Sequence, residues 1–225
     1  LIRPLEAQLR QGVADLALPL DDVQIARLLD YQVLMQKWNK VYNLTALRDP
    51  VEMLRHHLLD SLAVIAPLRR QLAAQAAIKP DAPNATATQT LLDAGSGAGL
   101  PGVVIAIACP DVTVDCVDAV AKKAAFIGQV AATLHLPNLR GLHARIEHLA
   151  GRYSVISARA FSSLSDFVSL SSQALAEHGI WLAMKGKHPA DEIAALPANV
   201  KVFHVEPLLV PGLDAERCIV WMSKT

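Results

Sequence analysis

The sequence has no excess of either charge. Its 225 residues carry 21 Lys and Arg against 21 Asp and Glu, and the pI is about 7.2. A protein that grips nucleic acid by bulk charge is basic. A general RNA binder is therefore excluded, and any RNA substrate needs a local basic patch and a shaped fit. No apolar run approaches the ~20 residues of a membrane span, and no basic-then-apolar leader is visible. The expectation is a cytoplasmic protein with no membrane partner. Cysteine is scarce: Cys109, Cys116 and Cys218 show no C-x-x-C spacing and read as reduced, small core residues. The eight histidines offer no metal spacing. His56 and His57 are adjacent on a helical stretch and point apart, and His143 and His148 make no convincing set, so no metal is expected. Neutrality and the lack of an obvious exposed apolar stripe favour a monomer. Hydrophobic residues, by contrast, are plentiful at 52%, with mean hydropathy +0.30, enough for a full core. The length suits one α/β domain with an appendage, or two small domains.

The stretch that organises the rest is Leu91-Leu92-Asp93-Ala94-Gly95-Ser96-Gly97-Ala98-Gly99-Leu100-Pro101-Gly102. It reads as a buried strand, a glycine-rich turn and a helix. Gly95, Gly97 and Gly99 leave bare backbone for a ligand to lie against. The helix beginning near Leu100–Pro101 turns free N–H groups back on the turn, and Pro101 suits a first helical position. A carboxylate at Asp93 is the wrong charge for a pyrophosphate. It suits the sulfonium and amino group of S-adenosylmethionine, so the turn favours a methyl donor over NAD. G-x-G-x-x-G alone, here Gly97 to Gly102, is a weak signal, and a tight strand–helix turn without a ligand stays open.

Taken in order, residues 22–42 form a long amphipathic helix with Ile25, Leu28, Tyr31, Met35, Trp38 and Tyr42 on one stripe, read as packing. Asp21 or Asp22 caps its start. A second helix opens at Asp49-Pro50-Val51-Glu52, with Asp49 as cap, Pro50 first inside and Glu52 completing a capping box. Asp60 or Ser61 caps a further short helix through Leu68. Residues 1–73 are thus a helical N-terminal extension. Residues 74–90, with two prolines, few bulky apolar side chains and no period, are a flexible linker or surface insertion. Residues 91–225 alternate strand and helix. Strands are expected at Leu91–Ala94, Val112–Val117, Leu139–His143, Ser154–Ser157, Ile180–Met184, Lys201–Val205 and Cys218–Met222. Helices are expected near Pro101–Ala108, Ala121–Leu134, Ser163–Ala176 and Pro189–Ala195. This rhythm predicts a mostly parallel, doubly wound sheet whose last two strands pair antiparallel.

Open parallel sheets bind ligands at the carboxyl ends of their strands. Strand two ends in Asp118, 23 residues after Gly95, at the separation of a carboxylate that grips ribose hydroxyls. Lys122 and Lys123 that follow read as solvated. Strand three leads to Ala144-Arg145-Ile146-Glu147, which would lie over an adenine, with Ile146 against the ring and Glu147 near a base edge. Strand four ends in Arg159, placed either to order a cofactor carboxylate or substrate phosphate or to make a structural ion pair. Strand five ends in Met184-Lys185-Gly186-Lys187, and with Arg159 these cations supply a local patch for RNA.

Two further absences narrow the chemistry. No Asn/Asp-Pro-Pro-Tyr follows strand four, so exocyclic-amine methylation on that pattern is unsupported. No cysteine sits at a strand end to attack a pyrimidine ring, which disfavours base-carbon methylation by a covalent route. Guanine N7 remains an acceptor that needs little help: it has an in-plane lone pair and no proton to remove. Its methylation is a matter of orientation, where well-held geometry supplies ~7–11 kcal/mol. No catalytic side chain is identifiable.

The sequence resembles the ribosomal RNA small subunit methyltransferase G family from about residue 22 to the end. The resemblance rests on Trp38-Asn39-Lys40-Val41-Tyr42-Asn43-Leu44-Thr45, His57-Leu58-Leu59-Asp60-Ser61-Leu62, the glycine stretch through Gly102, Ile156-Ser157-Ala158-Arg159-Ala160-Phe161, and Lys185-Gly186. It implies a Rossmann-like class I methyltransferase fold and N7 methylation of one guanine in the decoding region of 16S rRNA. It further implies S-adenosylmethionine as donor, S-adenosylhomocysteine as product, and cofactor contacts at Gly95, Leu100, Ile146, Glu147 and Arg159. Gly97 from the turn and Asp118 from the strand-two argument join that set, and Arg159 and Lys185 face the substrate, either 16S rRNA or the small ribosomal subunit. Ile146 stands where valine is common, and the stretch 74–90 looks like an insertion. A methyltransferase acting on another substrate, or a NAD-binding Rossmann protein, stays as the alternative.

Overall fold

The computed structural model describes residues 2–77, 89–149 and 153–225. Among the described residues there are seven strands: β1 (Gln89–Ala94), β2 (Val112–Asp118), β3 (Leu139–His143), β4 (Tyr153–Arg159), β5 (Leu175–Lys185), β6 (Val200–Pro207) and β7 (Cys218–Lys224). They make one sheet in the order β3-β2-β1-β4-β5-β7-β6. The first five are parallel, and β7 runs antiparallel between β5 and β6. The chain winds outward from β1 through β2 to β3, then crosses back to β4. The order therefore reverses between β1 and β4, and a cleft opens there at the carboxyl ends of the strands.

Each central strand is buried on both faces, as parallel strands are. Alternate residues enter different cores. Leu91, Val114, Val155 and Leu182 face one side. Leu92, Val117, Ile156 and Trp181 face the other. The first face packs α6 (Gly102–Ala108) and α7 (Ala121–Thr133) together with the N-terminal helices, in one continuous core. The second face carries α8 (Leu164–Ser171) and residues of α9 (Ala190–Ala194).

The N-terminal helices are α1 (Ile2–Asp15), α2 (Asp22–Tyr42), α3 (Pro50–Met53), α4 (Asp60–Leu62) and α5 (Ile65–Ala77). Helix α2 has the bounds its periodicity predicts. Asp21 and Gln24 close a reciprocal capping box at 2.7 and 3.0 Å, and Asn43 ends the helix in the left-handed region at φ 49°. Ile25, Leu28, Tyr31 and Met35 are buried, Trp38 is partly buried, and Tyr42 stays at the surface.

Several expectations are corrected. Asp49 does cap α3, through the Val51 and Glu52 N–H groups, but Glu52 does not close a box. Its carboxylate reaches Arg55 and His56 instead. Neither Asp60 nor Ser61 caps the start of a helix. The chain runs on from α3 through a π-helical turn, Leu54–Leu59, into α4, and Asp60 is buried. Pro101 is the N-cap of α6, one residue before its first turn. Within the stretch 74–90, Ala77 still belongs to α5 and Gln89 already belongs to β1; residues 78–88 lie outside the described residues. Helix α8 ends at Ser171, and Leu175 is already paired in the sheet with Tyr153.

Candidate functional site

The cleft at the switch point holds a cavity of about 560 Å³, within the range of small-molecule sites. Its floor is the glycine turn. Gly95, Gly97 and Gly99 have φ of 61°, 59° and 91°, a region that costs an L side chain roughly 1–2 kcal/mol. The turn is held from three sides. The Ser96 N–H donates to the Val117 carbonyl (3.1 Å), the Gly97 N–H to Asp118 Oδ2 (3.0 Å), and the Tyr31 hydroxyl of α2 to the Ala98 carbonyl (2.6 Å). A Cβ on Gly97 would meet nothing nearer than the Gly95 carbonyl at 4.0 Å, so the turn is an open cradle. The Ser96 hydroxyl beside it is buried without a partner.

Opposite the turn stands an ion-pair cluster. Asp60, 2% exposed, accepts from Arg159 Nη1 on Oδ2 (3.0 Å) and from Arg217 Nε on Oδ1 (2.8 Å). Arg159 also donates to the His56 carbonyl at 2.8 Å. Two guanidinium groups around one carboxylate leave one net positive charge at the wall. Arg159 arrives from the end of β4, Asp60 from α4 and Arg217 from the loop before β7. The π-helical turn sets the wall between them, and such turns recur at functional sites. Next to the cluster, His57 Nε2 lies 2.7 Å from the Thr45 hydroxyl and Nδ1 is unpartnered. Burial, with the charge of Arg159, lowers the His57 pKa to about 4, so the ring is neutral at physiological pH. Lys185, at the end of β5, is clamped by both oxygens of Glu192 at 2.8 and 3.0 Å, and Glu192 also accepts the Leu164 N–H at the start of α8.

Of the expected site residues, Gly95, Gly97, Leu100, Arg159 and Lys185 all border this cavity. Asp118 lies behind the turn: its two oxygens hold the Gly97 and Val120 N–H groups, with Lys123 Nζ at 3.5 Å. Lys123 is therefore paired, not simply solvated. Ile146 is buried in the second core, and Glu147 is half-buried with Arg145 at 3.4 Å. Neither borders the cavity, although their loop is stitched to β2 by the Ala144 N–H on the Asp118 carbonyl.

Asp93 is corrected. It does not face the cleft. It shares its side of β1 with Leu91, beneath the start of α6, and is fully buried. Its carboxylate accepts from the Gly102 N–H (2.9 Å) and the Ser157 hydroxyl (2.8 Å), and burial raises its pKa to about 6. It caps α6 and ties that helix to β4, so its charge does not discriminate between a sulfonium and a pyrophosphate. Asp60, Arg217 and the Thr45–His57 pair were not anticipated as site residues. Asp60 left one signal, an acid inside the apolar run Leu58-Leu59-Asp60-Ser61-Leu62; Arg217, in a connecting loop, left none. The three cysteines are free and buried, and no group of three or more metal-ligating side chains is found among the described residues. No described helix is long and apolar enough to cross a membrane.

Comparison with known proteins follows the same direction. Solved structures with this fold include TrmN from Thermus thermophilus (TM-score 0.51, 21% identity, 61% of this chain and 44% of that one). A SAM-dependent methyltransferase from Aquifex aeolicus is another (TM-score 0.50, 14% identity, 77% and 98%). At these identities they establish the Rossmann-like methyltransferase fold. The chain is 69% identical over 224 residues to the ribosomal RNA small subunit methyltransferase G of Albidiferax ferrireducens, covering 100% of this chain and 99% of that protein. It is 64% identical to the protein of the same name from an Acidovorax species, covering 96% and 94%. Residues 24–220 match the family described as rRNA small subunit methyltransferase G, and the chain belongs to that family of S-adenosylmethionine-dependent methyltransferases.

Proposed function

We propose that this protein methylates N7 of a guanine in the decoding region of 16S rRNA, as a cytoplasmic monomer that uses no metal. The donor, when bound, supplies an electrophilic methyl on a sulfonium. The open turn at Gly95 and Gly97, the apolar Leu100 and the unpartnered Ser96 hydroxyl fit a donor laid along bare backbone. Asp118 fixes Gly97 and keeps lone pairs free for ribose hydroxyls, since a carboxylate has about four acceptor sites. Ile146 and Glu147 suit the adenine end, two strands away at ~4.8 Å per strand. Arg159 and Arg217 present the net positive charge that a cofactor carboxylate or an RNA phosphate requires. Lys185, already neutralised by Glu192, sits where the substrate enters.

One observation carries the choice of acceptor. The carboxylate bordering the cavity, Asp60, has both oxygens taken by arginines, His56 Nε2 lies 3.1 Å from Glu52, and His57, held by Thr45 at Nε2, is a weak base with its pKa lowered to about 4. Such a site orients its reactants and offers no free base of ordinary strength. Guanine N7 needs none: its lone pair attacks the methyl, the C–S bond breaks, and the base acquires the positive charge with no proton lost.

The test is direct. 16S rRNA from cells lacking the gene loses one N7-methylguanine, and the purified protein transfers labelled methyl to 16S rRNA or 30S particles and not to a metabolite extract. Retention of that modification in the deletion strain overturns the reading.

A further inference from the structure

The chain is neutral overall, yet its acids are unevenly spread. No Asp or Glu occurs from residue 31 to 48 or from 119 to 146. The fold brings these two acid-free stretches together: the Trp38 ring of α2 lies 5.3 Å from Phe126 of α7 and 5.0 Å from Tyr42. At the end of α2, Lys37, Lys40, Val41 and Tyr42 are exposed, Val41 by 70% and Tyr42 by 40%. Lys122 stands over the Tyr42 ring at 6.0 Å. Arg48 is exposed beyond the turn and donates to Asn43 at 3.0 Å. The first stretch runs into the cavity rim, and the second begins beside Asp118, behind the glycine turn. The chain after Tyr42 continues directly to Leu44 and Thr45, which line the cavity, and α7 follows Asp118, which holds Gly97.

We infer that this α2–α7 face docks a single-stranded segment of the substrate RNA beside the target guanine, with a base stacked on Tyr42 and phosphates on Lys40, Arg48 and Lys122. The inference rests on RNA being the methyl acceptor. An exposed aromatic framed by cations, with no acid in either contributing stretch, has the charge and shape complementary to an unpaired strand. Aromatic faces hold bases of any sequence, while cations track the backbone. Sequence-specific RNA recognition targets such unstacked segments. The apolar Val41 beside Tyr42 extends the contact surface. The platform also answers how a neutral protein holds a polyanion: the positive charge is local to the approach to the site.

The experiment measures binding of a fluorescent decoding-region fragment of 16S rRNA across a salt series, with S-adenosylhomocysteine affinity measured in parallel by calorimetry. The proteins are wild type, Tyr42→Ala, Tyr42→Phe and the triple variant Lys40→Ala/Arg48→Ala/Lys122→Ala. The triple variant should bind the RNA at least tenfold more weakly and lower the slope of log K against log salt by about 2, at ~0.7 per phosphate contact on a single strand. Tyr42→Ala should weaken binding roughly tenfold with the salt slope unchanged, and Tyr42→Phe should restore it. S-adenosylhomocysteine affinity should stay within twofold throughout. Wild-type RNA affinity and slope in the triple variant overturn the inference. So does a parallel loss of cofactor affinity, which would make the face a structural support. Methyl transfer by the wild type to the same fragment is scored separately, so failure of the proposed reaction is distinguishable from failure of this surface.

Discussion

Asp60 takes Arg159 on one carboxylate oxygen and Arg217 on the other, at 3.0 and 2.8 Å. The triad ties α4, the end of β4 and the loop before β7 into one wall. Removing the partner of a buried charge costs about 3–5 kcal/mol. Asp60→Ala should therefore lower the urea midpoint strongly, by the equivalent of roughly 3 kcal/mol, and reduce methyl transfer at least tenfold, because both arginines lose their anchor. An unchanged midpoint would show that water already satisfies both guanidinium groups.

Tyr31 links the packing of α2 to the site through its hydroxyl on the Ala98 carbonyl. Tyr31→Phe keeps the ring and leaves that carbonyl without its donor, at a cost of about 1–3 kcal/mol. Stability should fall by that amount, and S-adenosylhomocysteine should bind several-fold more weakly because the turn loosens. Calorimetric titration checks the second effect independently of the first.

Asp93 and His57 oppose each other in pH. The Asp93 carboxyl is raised from 3.8 to about 6 by burial. The folded protein then binds the extra proton, and this group's contribution is favourable below about pH 4 and is lost as pH rises through about 6. His57 is lowered from 6.5 to about 4. The unfolded chain binds that proton, so its contribution is present above pH 6.5 and is lost as pH falls towards 4. Between pH 4 and 6 the two slopes offset. Relative to wild type, Asp93→Asn should make stability rise more steeply with pH in this window, and His57→Gln should make it rise less steeply or fall. Chemical denaturation at three pH values reads both signs.

Two glycines separate fold from binding. A Cβ at Gly102 would overlap Cys116 Sγ and crowd Asp93, so Gly102→Ala should cost stability first, by the ~1–3 kcal/mol of overpacking. A Cβ at Gly97 meets no side chain and stands in the open cradle at φ 59°. Gly97→Ala should keep most of the stability and lose at least tenfold in cofactor affinity. Equal losses of both properties in the two variants would remove the distinction.

Much of this was legible where local signals and packing agree. Helix α2 has a cap, a stripe and a left-handed stop, and each is in the sequence. Strand β3 likewise has its predicted bounds. Residues 174–176 misled because Ala174 and Ala176 favour helix locally, yet Leu175 pairs with Tyr153 and enters β5; tertiary pairing overrode propensity. Asp93 misled for a subtler reason. A carboxylate at a strand end reads as a ligand group, but strand alternation turns it inward, and the free N–H of Gly102 claims it. The Asp60–Arg217 pair joins residues 157 apart in sequence. No periodicity or spacing encodes such a contact, and only the closed fold reveals it.

The central claim is that a methyl donor lies on the bare turn beside Gly95. Titrating S-adenosylhomocysteine and NAD into the wild type and Gly95→Asp tests it most directly, because a Cβ there meets only the Phe161 ring at an ordinary 3.5 Å and the fold can survive. The account predicts one-to-one binding of S-adenosylhomocysteine to the wild type, no binding of NAD, and no heat with a folded Gly95→Asp. Wild-type affinity in that variant would contradict it.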